Sequence, residues 1–399
     1  MSAHRSSVPY LDGIRGIAAF LVFVHHFLLV FYTSTYTGVA APGKQNGLDT
    51  MYGLSPLSVL TNGNFWVHVF FTLSGFVLSR KYIQTNDPEL LVSGMHRRFI
   101  RLFVPVAVSL LFVYVLMMSH AFSNVRVASI TGSEWWFSHM WQFDAPSSKL
   151  LNCLFYSTMF QGDSMFNTVL WTISFELYGS LFVFAFLLFT HSVGYRPVLL
   201  LLVFFYFYYS KQSAYVSFVS GIYLAIFEKK RTQDATPIRR PVALGILALA
   251  LLLGSFPSNG NKAGTIFAHL GLTLLDFAPW YHVVGAYLLV YVFVTRPSYQ
   301  TIPGNRLFRQ LGKISFSLYL LHVPIIGSVG CAAFLALYKI VGYQIGALTA
   351  FICTTLVLIP LSILFTKYVD EKAVALSKRF YEMLKPGDLR QLPGRALQD

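Results

Sequence analysis

Runs of about twenty apolar residues recur along the whole chain, and they constrain its fold more than any other feature. A helix needs about 20 residues to cross roughly 30 Å of hydrocarbon. With no water there to satisfy backbone N–H and C=O groups, the crossing element is a helix or a closed barrel. Ten segments fit helices: 12–33, 65–84, 99–119, 169–190, 197–210, 212–228, 241–256, 281–295, 314–338 and 343–366, the fifth and seventh being short. A further apolar piece, 264–278, reads as re-entrant or interfacial because Asp276 and Pro279 break it. The expected fold is all-α, a polytopic integral membrane protein of about ten transmembrane helices. Composition agrees, since 12% charged residues is half the usual share of about 25% in soluble domains.

The net charge of +14 raises nucleic acid as a partner until its distribution is read. With ten spans and a cytosolic N-terminus, the odd loops collect Lys44, Arg126, Lys149, Lys211, Lys262 and Lys339, Arg15 sits within the first span, and the remaining 23 of the 30 Lys and Arg fall at the termini and even loops. That is the positive-inside pattern, with both termini cytosolic. The partners it implies are a lipid bilayer, of the endomembrane system or plasma membrane, and no nucleic acid. The three cysteines, Cys153, Cys331 and Cys353, match neither a metal set nor a disulfide framework, and no metal site is expected. No cleavage site follows the first apolar run, so that run is read as a retained helix.

One integral-membrane domain is expected over 1–369, followed by a cytosolic tail over 370–399 that begins as a basic amphipathic helix and ends in Pro/Gly-punctuated polar sequence. Two outer stretches, 34–64 and the Trp-rich 120–168, are placed to border an acceptor site.

Ionisable groups inside the spans carry the functional signal, because they are costly in hydrocarbon and usually face an interior cavity. Arg15 and His26 are eleven residues apart, close to three helical turns, so both lie on one face about 16 Å apart. His25 points roughly 80° away on the same reckoning. Asp12 shares the stripe of Arg15. Arg15 fits either this stripe or a snorkel to the cytosolic headgroups, whereas His26, about 21 Å from the inner edge, is too deep for that. Glu176 in LWTISFE falls about 10 Å below the outer face, the level of His26, where carboxylate and imidazole would make a competent general base. The bland alternative is a structural Glu bonded to a neighbouring helix. His322, in SFSLYLLHVPI, sits about 12 Å above the inner face with Pro324 just beyond, either opening a pocket or packing on Tyr319 or Ser317. In RRFIRLFVP, Arg98 and Arg101 lie one turn apart on one helix face, a spacing that grips a phosphate or simply anchors the helix. Ser74 and Gly75 read as packing residues.

Taken in order, DGIRGIAAFLVFVHH, FFTLSGFVLS, RRFIRLFVP, LWTISFE and SFSLYLLHVPI resemble the acyltransferase-3 family of integral membrane acyltransferases, which O-acylate carbohydrates and other acceptors. The resemblance covers residues 8 to about 366. It implies acyl-CoA, acetyl-CoA above all, as donor and a hydroxyl-bearing carbohydrate, lipid or small molecule as acceptor. It implies His26 as the catalytic histidine, with Arg15 its paired arginine, and carries weight to Glu176, to Arg98 and Arg101, and to His322. On the depths reckoned above, Arg15, Arg98, Arg101 and His322 hold the donor while Glu176 assists His26. The rival reading is a proton-coupled transporter in which Arg15, His26 and Glu176 form a relay. Against it, no internal repeat and no matched broken helices are visible.

Overall fold

The computed structural model of the protein describes residues 8–40, 47–144, 146–231, 236–271 and 278–384. Lys44, Asp276, the first seven residues and the tail beyond 384 lie outside them. Among the described residues there are helices and turns but no strand.

Each of the ten expected segments falls on a helix. These are α1 (Pro9–Phe31), α2 (Gly63–Thr85), α3 (Glu89–Met118), α4 (Trp171–Phe189), α5 (Arg196–Tyr209), α6 (Ser213–Arg231), α7 (Arg240–Gly254), α8 (Pro279–Thr295), α9 (Arg306–Ile325) and α10 (Tyr343–Phe365). Pro9 and Pro279 open α1 and α8 at positions where a missing N–H costs nothing. Asn62 and Asn305 cap α2 and α9 by accepting from the backbone N–H of Phe65 and Phe308. Five helical runs are long and apolar enough to cross a membrane by length and composition: Pro9–Phe31, Glu89–Met118, Thr168–Phe189, Arg306–Val341 and Tyr343–Leu384. Three further helices, α5, α7 and α8, are apolar but shorter. The remaining two have the length, 23 and 19 residues, but dilute their apolar content, α2 with His68, Arg80 and Lys81 and α6 with serines and a Glu228–Arg231 end.

Two parallel helix pairs organise the bundle. Against α1, the start of α9 packs backbone on backbone: a Cβ on Gly16 would lie 2.5 Å from both the amide N of Gly312 and the carbonyl of Phe308. Gly312 in turn faces the Asp12 carbonyl. In the second pair, Gly75 of α2 lies on the Phe218 carbonyl and Gly221 of α6 on that of Thr72. That pair is tied near both ends, by His68 Nδ1 to Ser217 Oγ at 3.0 Å and by the Arg80–Glu228 ion pair at 2.7 Å. Small residues permit such close approach in membrane helices, where van der Waals contact drives association. The Asn62 amide fastens the start of α2 to α7 by donating to the carbonyls of Gly254 (2.9 Å) and Phe256 (2.8 Å).

Past Pro324 the helix continues through a π-helical turn, Ile326–Gly330, into Cys331–Val341, the expected disturbance falling just beyond the proline itself. The 120–168 stretch folds into short helices rather than an open loop. Trp141 stacks on Phe122 with ring centres 3.7 Å apart and donates to the Phe166 carbonyl, and Asn167 donates to Leu320 O at 2.7 Å. The first two contacts hold the stretch together, and the Asn167 bond ties its end to α9. At the other end, α10 runs through Thr366–Asp370 into α11 (Glu371–Leu384), which packs on α3.

Candidate active site

His26 lies directly on His322. Its Nδ1 is 3.0 Å from His322 Nε2 and 3.0 Å from the carbonyl of Val22. His322 is fully buried, and its own Nδ1 is 3.1 Å from the Leu318 carbonyl. A carbonyl only accepts, so the neutral His322 ring carries its proton on Nδ1 and offers Nε2 as an acceptor. His26 Nδ1 then faces two acceptors and carries the proton itself. Its Nε2 is left unprotonated, the form a general base requires. Two helical carbonyls thereby set both tautomers.

His26 retains partial exposure and is roofed by Trp136, with ring centres 5.9 Å apart. His25, its neighbour, turns to the other side, where its Nδ1 donates to the Thr61 carbonyl at 2.6 Å and its ring meets Tyr36 at 5.8 Å. Tyr36 stacks in turn on Trp135, and burial pushes its phenol pKa up, so it stays a neutral donor. Both outer stretches expected to border the acceptor therefore reach the histidines.

On the basic side of the bundle lies a cavity of about 1160 Å³, somewhat larger than the usual range of about 300–1,000 Å³ for ligand sites. Arg15, Arg98, Arg101 and Glu176, four of the six residues expected at the site, line it together with Asp12 and Ser74. Arg98 and Arg101 do share the expected face. Arg98 is 7% exposed; it forms an ion pair with Glu176 and donates from Nε to Ser180 Oγ at 2.7 Å. Ser74 Oγ donates to the same Glu176 oxygen at 2.8 Å.

Glu176 and His322 lie elsewhere than expected. Glu176 is bonded to Arg98 and Ser74 and not to His26, because α4 packs on α3 and α2, and a shared depth does not make two helices neighbours. His322 is not among the residues lining the basic cavity. The helix carrying it begins at Arg306, eight residues before the expected start of the span, which raises His322 to the level of His26. What joins the two centres is Tyr319. It lines the cavity, its ring lies 5.9 Å from that of His322, and its hydroxyl, 2.9 Å from Thr172 Oγ1, donates to Val169 O at 3.0 Å.

Several cavity residues escaped the sequence reading. Arg306, Arg309 and Lys313 line it from α9 and Lys378 lines it from α11, all four having passed for topological anchors. Their signal was the i, i+3, i+7 spacing of the first three, one face of a helix. Among the described residues, no group of three or more His, Cys, Asp or Glu is placed to hold a metal ion.

Comparison with known proteins bears on the chemistry. A family model described as an acyltransferase domain matches residues 8–367. The O-acetyltransferase PaAT-1 of Phomopsis amygdali is 24% identical, over 95% of this chain and 85% of its own length. An acyltransferase of Phoma sp. is 22% identical, over 95% of this chain and 96% of its own, and one of Cochliobolus lunatus is 22% identical over 84% and 86%. No solved structure matches significantly.

Proposed function

The chain belongs to the acyltransferase-3 family and is a membrane acyltransferase; on that footing we propose that it transfers an acetyl group from acetyl-CoA to a hydroxyl of a carbohydrate, lipid or small molecule. The hydrogen-bonded pair of His26 and His322 carries this reading. The name of the Phomopsis amygdali relative supports an acetyl group and an oxygen acceptor.

In this mechanism His26 Nε2 takes the proton of the acceptor hydroxyl as the oxygen attacks the thioester carbonyl. The C–S bond breaks, CoA leaves as the thiolate, and the imidazolium returns the proton to it. His322 accepts from His26 Nδ1 throughout, steadying the positive charge that develops on the ring. Arg15 and Arg101, with the other cations of the cavity, attract the donor's phosphates. Glu176 acts at one remove, holding Arg98 in place. From Lys313 to His322 is about 14 Å along the helix axis, a span the extended arm of the donor bridges past Tyr319.

The basic side is assigned to the cytosol, where acyl-CoA is made, and both termini with it. Parallel packing of α1 with α9 and of α2 with α6 is the direction that alternating crossings require, and the excess of Lys and Arg at the termini and even loops supports the side. An acceptor then enters from the opposite side, under Trp136.

The test uses purified protein, labelled acetyl-CoA and a panel of extracted metabolites, with the acetylated product identified by mass spectrometry. Transfer by wild-type protein and its loss in His26→Ala support the reading. Transfer by His26→Ala near the wild-type rate would remove the assigned centre, and ion or solute uptake without any transfer would favour the transporter.

A further inference from the structure

The basic cavity has a wall that the family domain does not supply. The matched region ends at residue 367, yet Glu371, Val374, Ala375 and Lys378 of α11 line the cavity. Their i, i+3, i+4, i+7 spacing makes one face of a helix. A second face holds α11 in place: Ala373 and Ser377 are buried, α3 lies against the helix, and the Tyr381 hydroxyl donates to Glu89 Oε1 at 2.7 Å. The Tyr381 ring also lies 5.6 Å from His96 of α3. With α10 running into it unbroken, α11 is a fixed wall and not a loose tail.

Lys378 stands out on that wall. Among the described residues its ammonium has no hydrogen bond or ion pair with the protein, and the same holds for Arg306, Arg309 and Lys313 of α9. Among the described residues seven cations and four carboxylates line the cavity, so a surplus of positive charge remains there, and a bound polyanion relieves the repulsion it causes.

Resting on the reading of acyl-CoA as donor, we propose that α11 is a donor-selecting wall, in which Lys378 acts with Arg306, Arg309 and Lys313 to bind the phosphates at the nucleotide end of the thioester. A thioester carrying the nucleotide is thereby preferred over the same thioester without it. Lys378 is a binding residue here and takes no part in the chemistry at His26.

The experiment uses the full-length purified protein in detergent, as wild type, Lys378→Ala, and Lys372→Ala as a control on a face of α11 away from the cavity. Binding is measured with 3′,5′-ADP, the nucleotide end of the donor alone. Transfer is measured with acetyl-CoA and with S-acetylpantetheine, which lacks the nucleotide. Lys378→Ala is expected to weaken 3′,5′-ADP binding and raise the KM for acetyl-CoA about tenfold, the loss of one charged hydrogen bond, while KM and kcat for S-acetylpantetheine stay unchanged. Lys372→Ala should match wild type in all of these. Unaltered 3′,5′-ADP binding by Lys378→Ala, an equal rise in KM for both donors, or displacement of acetyl-CoA by phosphatidylglycerol but not by 3′,5′-ADP would overturn the proposal. Lys378-dependent nucleotide binding by a protein that transfers no acetyl group would uphold the wall and defeat the acetyl-transfer reading instead.

Discussion

Gly16 and Gly312 meet where α1 packs on α9, and they are separated in sequence by 296 residues, the same offset that separates His26 from His322. The two helices run parallel, and both rise about 1.5 Å per residue, so an alignment made at the glycines carries ten residues, about 15 Å, to the histidines. A packing contact at the basic end thus determines the hydrogen bond at the other.

Gly16→Leu therefore acts at a distance. Even its Cβ would sit 2.5 Å from backbone atoms of α9, and backbone has no rotamer in which to retreat. Overpacking of this kind costs about 1–3 kcal/mol, and here it also parts His26 from His322. The expected result is a lower melting temperature together with a reduced kcat and, because Arg309 and Lys313 flank the displaced contact, a raised KM for acetyl-CoA. A variant that melts early but keeps full kcat would show that the glycine contact does not set the histidine pair.

The three histidines should separate cleanly in steady-state kinetics. In the proposed mechanism His26→Ala removes the base and is expected to cost about 10²–10⁴ in kcat. His322→Ala leaves the base but frees its ring, giving a smaller loss that His322→Gln, which still offers an acceptor, partly restores. His25→Ala breaks only the bond to Thr61 and should be the mildest. Equal losses at His25 and His26 would contradict this ordering.

Glu176 and Arg98 form a charge pair of low exposure, 20% and 7% by side chain. Removing one member leaves the other uncompensated, and for pairs of this kind the penalty is about 3–5 kcal/mol; the partial exposure of Glu176 argues for the lower figure. Glu176→Ala should thus lower the melting temperature sharply, and pairing Glu176→Leu with Arg98→Met should recover much of it. A Glu176→Ala protein of normal melting temperature and no activity would put the carboxylate in the chemistry after all.

Donor affinity should respond to salt. Screening tightens from a Debye length of about 10 Å at 0.1 M to about 3 Å at 1 M, so the KM for acetyl-CoA is expected to climb across that range while the KM for S-acetylpantetheine stays flat. Arg101→Ala should raise the first KM at low salt and blunt its climb. Parallel salt dependence for the two donors would mean that the cavity cations do not read phosphate.

The positions of all ten helices were legible because hydropathy and cap residues are local properties of the chain. So was the shared face of Arg98 and Arg101, and so was the turn that divides His26 from His25, since both follow from 3.6 residues per turn. Depth along a helix was legible only where the helix start was. The start of α1 lies within three residues of its expected place, whereas α9 begins eight residues early, and that error alone moved His322 to the wrong end of the molecule.

Lateral neighbours were another matter. The pairing of Arg98 with Glu176, the meeting of His26 with His322, and the convergence of Arg306, Lys313 and Lys378 on one cavity join residues from helices distant in sequence. Hydrocarbon offers no preference among apolar helix faces, so the sequence alone determined that these helices form and which residue types each one carries. Which helix lies against which was decided by tertiary packing, at glycines such as Gly16 and Gly312 whose missing side chains let two backbones touch in one register.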